Sequence, residues 1–192
     1  LMASAQHCAF DMVLQQKEAI HPGFQENYLN FWNNVRPQSS GQRNTVYELP
    51  VVFHIVYNTP GQNIPDEVII SQLEILNQDY RRLNPDASNT REIFQPLAAD
   101  AEIEFVLATT DPDGNPTTGI NHVETTREGF ALDIFSQDIT LDEVKFAATG
   151  GADAWDTERY INIWVCNVQD TGFGQIFGFA YPPSGAPTFA GL

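Results

Sequence analysis

Hydrophobic residues recur along this chain with two periods, and each period predicts a different element. Residues 51–57 are apolar on both alternations, which is typical of a strand that is covered on both faces. After Pro65, apolar residues recur at steps of four and three and would line one side of a helix: Ile69, Leu73, Leu76, Tyr80 and Leu83. Residues 103–107 alternate again, which predicts a second strand. This strand–helix–strand unit with a right-handed crossover predicts an α/β fold.

Charged residues mark both ends of the predicted helix. Pro65 suits the first turn, and Asp66 and Glu67 would lie beside the positive end of the helix dipole. Arg81 and Arg82 would lie near its negative end. We therefore expect the helix to begin at Pro65 and to end near these arginines.

Shorter patterns follow in the rest of the chain. Residues 120–126 and residues 161–168 are predicted strands, and residues 141–147 a short helix that the glycines 150–151 end. Residues 174–181 predict an irregular, glycine-bearing edge strand. The glycines of that region have the wrong spacing for a phosphate-binding loop, so we reject a nucleotide site.

The composition limits the classes of partner. The chain has 192 residues, of which 42% are hydrophobic, so it can bury the core of one main domain. Nine Lys and Arg residues stand against 25 Asp and Glu residues, which gives a net charge of −16. This balance disfavours nucleic acid and anionic membrane surfaces as partners. No segment is apolar for long enough to cross a bilayer.

The amino-terminal quarter differs from the main domain in its pattern. Residues 1–6 resemble the end of a secretory signal peptide, with a small-residue Ala-x-Ala pattern, so we expect a partial signal and an exported protein. Residues 7–36 interleave polar with apolar residues and predict helical pieces, which we interpret as a pro-segment. Residues 37–48 are polar and rich in turn-forming residues, which predicts a linker. Arg36 and Arg43 could mark an activation cleavage, or could be incidental in an ordinary linker.

Two cysteines leave several states open. Cys8 and Cys166 could form one disulfide in an oxidising compartment, or both could remain free. Cys166 lies in an apolar, strand-like run, where a buried free thiol that behaves as a small hydrophobic residue is expected.

The histidines and the acidic turn provide no metal site by themselves. The chain has four histidines, and no two of them are four residues apart. His54 is expected to be a core or interface residue, whereas His7, His21 and His122 have polar neighbours. Residues 111–116 resemble the start of a calcium loop, but they lack the glycine and glutamate that the loop requires, so we predict a plain turn. Calcium binding stays open.

Six phrases in a fixed order suggest a relationship to a known family. They are residues 49–57 (LPVVFHIVY), 64–83 (IPDEVIISQLEILNQDYRRL), 103–107 (IEFVL), 111–120 (DPDGNPTTGI), 150–155 (GGADAW) and 160–167 (YINIWVCN). In combination the chain resembles the amino-terminal half of a secreted zinc metallopeptidase of the pappalysin family, within the metzincins. The zinc-binding pattern H-E-x-x-H-x-x-G-x-x-H of that class is absent from the sequence.

The resemblance implies a fold and a division of the chain. Residues 49–192 would form the incomplete amino-terminal part of a metallopeptidase domain, with a mixed, twisted sheet and a long crossover helix, preceded by the helical pro-segment. Zinc would be held by three histidines beyond this chain, so the fragment would not bind zinc and would be inactive as a peptidase. The implied enzyme is a zinc metalloendopeptidase that is made as a zymogen and acts on proteins or peptides.

The resemblance also implies roles for particular residues. In some relatives a pro-segment cysteine occupies the zinc position that the catalytic water needs, and Cys8 is the candidate for this latency role, with Asp11 as a lesser one. In metzincins the edge strand aligns the substrate by main-chain hydrogen bonds. This role would fall to Phe177, Gly178, Phe179 and Ala180. A covered hairpin without ligand contact is the alternative there. For the whole chain, the alternative is a noncatalytic extracellular peptide-binding or adhesin module.

Overall fold

The structure is a computed structural model, and it describes residues 18–19, 22–34, 45–131, 140–169, 178 and 180. Its helices and strands, in chain order, are α1 (Phe24–Asn34), β1 (Tyr47–Tyr57), α2 (Asp66–Tyr80), β2 (Ile103–Leu107), β3 (Ile120–Glu124), β4 (Phe130–Ala131), β5 (Ile161–Val165) and β6 (Val168–Gln169). Short 3-10 helices span Pro60–Gln62, Ala87–Asn89, Glu92–Leu97, Thr140–Lys145 and Ala147–Thr149. The α/β fold class and the crossover helix are confirmed.

β1 is the centre of a four-stranded sheet, and all three of its ladders are parallel. β2 pairs with residues 47–51, β3 with residues 53–57, and β5 with residues 51–55 of β1. The backbone bonds from β1 to the segments around β2 and β3 come from alternate residues, namely Tyr47, Val51, Phe53 and Tyr57. Alternate residues direct their backbone groups to the same side, so β2 and β3 follow one another along one edge of β1, and β5 occupies the other edge.

The two faces of β1 are covered by different parts of the chain. Val51, Phe53 and Ile55 pack with α2 through Ile69 and Leu73, and all five are buried. On the other face, two smaller clusters continue the core, and their buried members are Val52, Ala108 and Tyr160 in one and Val56, Phe130, Val144 and Ala152 in the other. The prediction that this strand is covered on both faces is therefore confirmed.

The predicted helix is confirmed with nearly the predicted ends. α2 begins at Asp66, directly after Pro65, with Asp66 and Glu67 in its first turn. It ends at Tyr80, and the Arg81 side chain beyond it binds the carboxylates of Asp100 and Glu104.

Two of the predicted elements need correction. The strand predicted for residues 161–168 is interrupted, because β5 ends at Val165 and the chain resumes pairing as β6 in a separate two-stranded sheet with β4. Asn167 lies at this change of partner: its backbone oxygen accepts from Phe130 N at 2.9 Å, and its side chain donates to Glu128 O at 2.7 Å. The short helix predicted for residues 141–147 is a 3-10 helix that spans Thr140–Lys145.

The amino-terminal predictions fall largely outside the described residues. The signal residues 1–6 and Cys8 lie outside them, and α1 lies within the predicted pro-segment. β1 begins at Tyr47, inside the last residues of the predicted linker, because Tyr47 N donates to Glu102 O at 2.8 Å. In the part of the chain that is described, the helices are too short or too polar to span a bilayer. The ladders described are parallel, and the edge strand predicted at residues 174–181 lies mostly outside the described part.

Candidate functional site

The carboxyl ends of β1, β3 and β5 lie at the same edge of the sheet, because the three strands are parallel. Ligand sites of open α/β sheets occur at this edge. Thr125 follows β3 here and is 8% exposed. Its backbone oxygen accepts from Asn58 Nδ2 at 2.9 Å, and its hydroxyl accepts from Arg127 N at 3.2 Å. These bonds hold the strand ends together.

Arg127 connects this edge to the 3-10 helix Thr140–Lys145. Its guanidinium binds the carboxylate of Glu143, donates to Thr149 O at 3.1 Å and lies 4.7 Å from the ring centroid of Phe130. The ring of Phe130 is almost fully buried. The cation therefore has an ionic, a backbone and an aromatic partner, which fixes the segment beside the sheet.

The predicted substrate-binding residues follow β6 in the chain. Gly178 and Ala180 are described, and both are exposed. A Cβ atom added at Gly178 would meet no atom within 4 Å. Phe177 and Phe179 lie outside the described residues. The substrate-binding role of these four residues stays a prediction.

His54 lies in the interior rather than at this edge, and it is 1% exposed. Its Nε2 is 2.9 Å from Asn162 Oδ1, and its Nδ1 is 3.4 Å from Asn121 Nδ2. The ring stacks on Trp164, with centroids 5.1 Å apart, and meets Trp155 edge-on at 6.2 Å. The prediction of a satisfied core residue is confirmed.

The hydrogen bonds around Asn162 determine which nitrogen of His54 carries the proton. Asn162 Nδ2 donates to Trp155 O at 3.0 Å and to Tyr160 O at 3.3 Å, which leaves its Oδ1 as an acceptor for His54 Nε2–H. With this proton on Nε2, the Nδ1 of a neutral ring is an acceptor, and it faces Asn121 Nδ2 at 3.4 Å. Burial lowers the pKa of His54, and its hydrogen bond to Asn162 opposes this shift.

His122 lies on β3, at the surface of the same sheet, and it contacts two residues at or just before the start of α2. Its Nδ1 is 2.5 Å from Asn63 Oδ1, and its Nε2 is 2.7 Å from Asp66 Oδ1. It therefore joins β3 to the start of α2. His7 and His21 lie outside the described residues.

Of the two cysteines, Cys166 lies among the described residues and Cys8 lies outside them. Cys166 is a half-buried free thiol that packs against the cluster of Val56, Phe130 and Val144. Burial raises the pKa of the Cys166 thiol to about 11. The thiolate is the reactive form, so this environment disfavours reaction. Cys166 is a free thiol as expected, but it is half-buried rather than buried, and the latency role of Cys8 stays a prediction.

The acidic turn is confirmed as a turn. Asp111 Oδ1 accepts from Asp113 N at 3.0 Å and from Asn115 N at 2.7 Å, and Gly114 has a φ of +88°. These backbone bonds, that of Asn115 foremost, lower the pKa of Asp111. Its carboxylate therefore stabilises the turn itself.

The described residues do not fit a zinc site. No three His, Cys, Asp or Glu side chains among them come together in a way that could hold a metal ion. Both ring nitrogens of His54 face amides, and both of His122 face Asn63 and Asp66.

Solved metallopeptidases share the fold and much of the sequence of this chain. They are forms of mirolysin. Mirolysin in complex with compound 9 is 48% identical over 66% of this chain, with a TM-score of 0.60. Mature mirolysin from Tannerella forsythia in complex with a cleaved peptide is 48% identical over 67% of this chain, with a TM-score of 0.60. A Tannerella forsythia promirolysin variant is 39% identical over 83% of this chain, with a TM-score of 0.69.

These similarities relate the chain to metalloproteases and, through promirolysin, to a zymogen. The chain covers 44%, 45% and 50% of the length of the three structures. No family model matches the chain. The search of curated proteins also finds no match.

Sequence reasoning missed the polar residues around His54. Asn121 is its register partner on β3, and Trp164 is its partner on β5. Asn162 reaches the ring from two residues before Trp164. Single asparagines within apolar strands are the signal that could have indicated this cluster, because a buried amide requires partners.

Proposed function

We propose that this chain is the amino-terminal part of a secreted, pappalysin-like zinc metalloendopeptidase. The observation that carries the proposal is the 48% identity with mirolysin over two thirds of the chain, together with the shared fold. The chain covers about half of these proteins, and its sequence lacks the zinc-binding pattern. Both facts support a division in which residues 49–192 form the upper part of the peptidase domain and other residues supply the metal ligands.

The match to promirolysin supports a pro-segment at residues 7–36. The pro-enzyme matches 83% of this chain, whereas the two mirolysin structures match 66% and 67%. The additional share is comparable in size with the proposed pro-segment. In this proposal residues 37–48 link it to the peptidase domain, and Cys8 supplies the latency ligand.

The chain would contribute a rigid scaffold and a peptide-binding strand. In the proposed enzyme, residues other than the described ones would hold zinc, which would supply an activated water and a Lewis acid for the scissile carbonyl. Residues 177–180 would align the substrate through main-chain hydrogen bonds, and the exposure of Gly178 and Ala180 supports this role. That mature mirolysin was solved with a cleaved peptide supports a peptide substrate.

The proposal is tested by comparing two proteins in a cleavage assay with fluorogenic peptides. One is the isolated 192-residue chain, and the other is the product of the complete reading frame that contains it. We expect chelator-sensitive cleavage by the complete product and none by the isolated chain. Chelator-sensitive turnover by the isolated chain would contradict the proposal that other residues supply the metal ligands. A folded complete product that binds peptides without cleaving them would favour the noncatalytic module instead.

The peptide-binding strand is tested in the complete product with Ala180→Pro. Proline removes the backbone N–H, so one hydrogen bond to the substrate is lost, and we expect kcat/KM to fall by about tenfold. Ala180→Gly keeps the N–H and is the matched control. Phe179→Pro tests the opposite alternation of the strand, where N–H groups point to the other side. Unchanged kcat/KM in both proline variants would exclude this strand as the substrate contact.

A further inference from the structure

The connection of residues 152–160, between the 3-10 helix Ala147–Thr149 and β5, is bound to the sheet around His54. We propose that His54 is an acid-sensitive clasp, which holds residues 152–160 against the sheet while its ring is neutral and releases them when the ring is protonated. The inference concerns the described residues alone and does not depend on the proposed peptidase function.

Three side chains hold this connection in place. Trp164 Nε1 donates to Ala152 O at 2.9 Å, and Tyr160 OH donates to Thr110 O at 2.9 Å. Asn162 Oδ1 accepts from Trp155 N at 2.8 Å. His54 stacks on Trp164 and donates to Asn162, so it contacts two of the three. A change at the imidazole therefore acts directly on the bonds that hold the connection.

Protonation conflicts with the hydrogen bonds around the ring. The first proton is already on Nε2, because the amide of Asn162 is oriented by its bonds to Trp155 O and Tyr160 O. A second proton would have to bind Nδ1, which faces the Asn121 amide group at 3.4 Å. A reversed Asn121 amide would offer an oxygen there, but the positive charge would still be buried without a counter-charge. A buried ion without a partner is strongly unfavourable.

The charged groups near the ring do not provide that counter-charge. On β1, β3 and β5, the ring's described partners are amides and an indole. On the connection itself, Asp153 accepts from Ala147 N, Asp156 accepts from Glu158 N, and Arg159 lies over the ring of Tyr160. Among the described residues, the carboxylates of this region are thus directed to other partners.

The sign of the pH effect follows from this environment. Burial lowers the pKa of His54 in the folded protein below its ordinary value of 6.5. The state in which residues 152–160 are held against the sheet therefore has its full stability above pH 6.5. It loses stability as the pH falls from that value toward the folded-state pKa. The ordinary pKa values of carboxyl groups, 3.8 for Asp and 4.5 for Glu, lie below that of histidine. A loss of stability at a pH between the carboxyl values and 6.5 would therefore be due to histidine.

The test follows the near-ultraviolet circular dichroism of the tryptophans between pH 8 and pH 4 in the isolated 192-residue chain. We expect the wild-type signal to fall as the pH drops below 6.5. In His54→Gln, whose amide can donate to Asn162 but does not titrate, the signal should persist until the carboxylates titrate. His122→Gln removes the surface histidine of the same sheet and should behave like the wild type. An acid transition that is unchanged in a folded His54→Gln protein would overturn the proposal.

A second measurement covers the case in which His54→Gln does not fold. The Cε1 proton resonance of His54 is followed by nuclear magnetic resonance in the wild-type chain. We expect it to keep its neutral shift until the tertiary signal is lost. Smooth titration of His54 with an intact near-ultraviolet signal would overturn the clasp. Peptide cleavage is not measured in either experiment, so their failure leaves the proposed function untouched.

Discussion

Gly151 lies too close to the backbone of Val144 for any larger residue. A Cβ atom at this position would lie 2.0 Å from Val144 O and 2.4 Å from Val144 C. The close approach allows Gly151 N to donate to Phe146 O and Ala152 N to donate to Val144 O, both at 2.9 Å. The glycine therefore lets the 3-10 segment close onto the start of the connection 152–160.

We predict that Gly151→Ala destabilises the isolated chain by about 3 kcal/mol or more, because backbone atoms would have to move. The matched control is Gly61→Ala, since an added Cβ at Gly61 meets no atom within 4 Å and Gly61 is exposed. The control should change stability by less than about 0.5 kcal/mol. Urea denaturation of both variants measures the difference. Equal midpoints would show that the segment can shift at little cost.

For single residues, the sequence predicts that His54 is buried but does not predict its hydrogen-bond partners. Its apolar neighbours in the chain indicate burial, which the structure confirms. The identity of Asn121 and Asn162 as partners depends on strand register, which the one-dimensional pattern does not contain. Similarly, the glycine pair at residues 150–151 predicts a break, but not the contact with Val144.

Among the described strands, β2 pairs only with β1, and α2 covers its other edge. Asn77 on α2 accepts from Phe105 N at 2.7 Å and donates to Phe105 O at 2.9 Å. Tyr80 also meets the Phe105 ring edge-on, with centroids 4.8 Å apart. A single amide thus satisfies both backbone groups of an edge residue, which would otherwise be open to another strand.

We predict that Asn77→Ala lowers the free energy of unfolding by about 1–3 kcal/mol, because two partly buried backbone groups lose their partner. Gln72→Ala is the matched control, since Gln72 is an exposed amide on the same helix. Chemical denaturation gives the free energies, and light scattering reports association through the uncovered edge. A variant that is as stable as the control would show that water replaces the amide without cost.

Helices and strands are predicted correctly where one hydrophobic period persists along the chain. They are predicted wrongly where the backbone changes its pairing partner. The strand at residues 103–107 and the helix after Pro65 each have a regular pattern, and both are confirmed. The break between β5 and β6 is missed, since the apolar residues Cys166 and Val168 continue on either side of Asn167 while the backbone leaves one sheet for another. Backbone pairing, rather than hydrophobicity, decides that boundary.

For the whole molecule, the fold class and the relationship to metallopeptidases could be predicted from the sequence, because six phrases occur in a fixed order. The candidate site could be predicted only in outline. Gly178 and Ala180 are exposed as a substrate strand requires, whereas their pairing depends on neighbours in three dimensions. The net charge of −16 disfavours nucleic acid as a partner but does not specify which partner binds.

The shared use of β1 by three ladders has a consequence for biosynthesis. Of these four strands β1 leaves the ribosome first, so its apolar side chains and its unpaired backbone groups stay exposed until β2, β3 and β5 are translated. Pairings between such distant segments form slowly. An exposed strand of this kind is a natural target for chaperones and a point at which nascent chains aggregate.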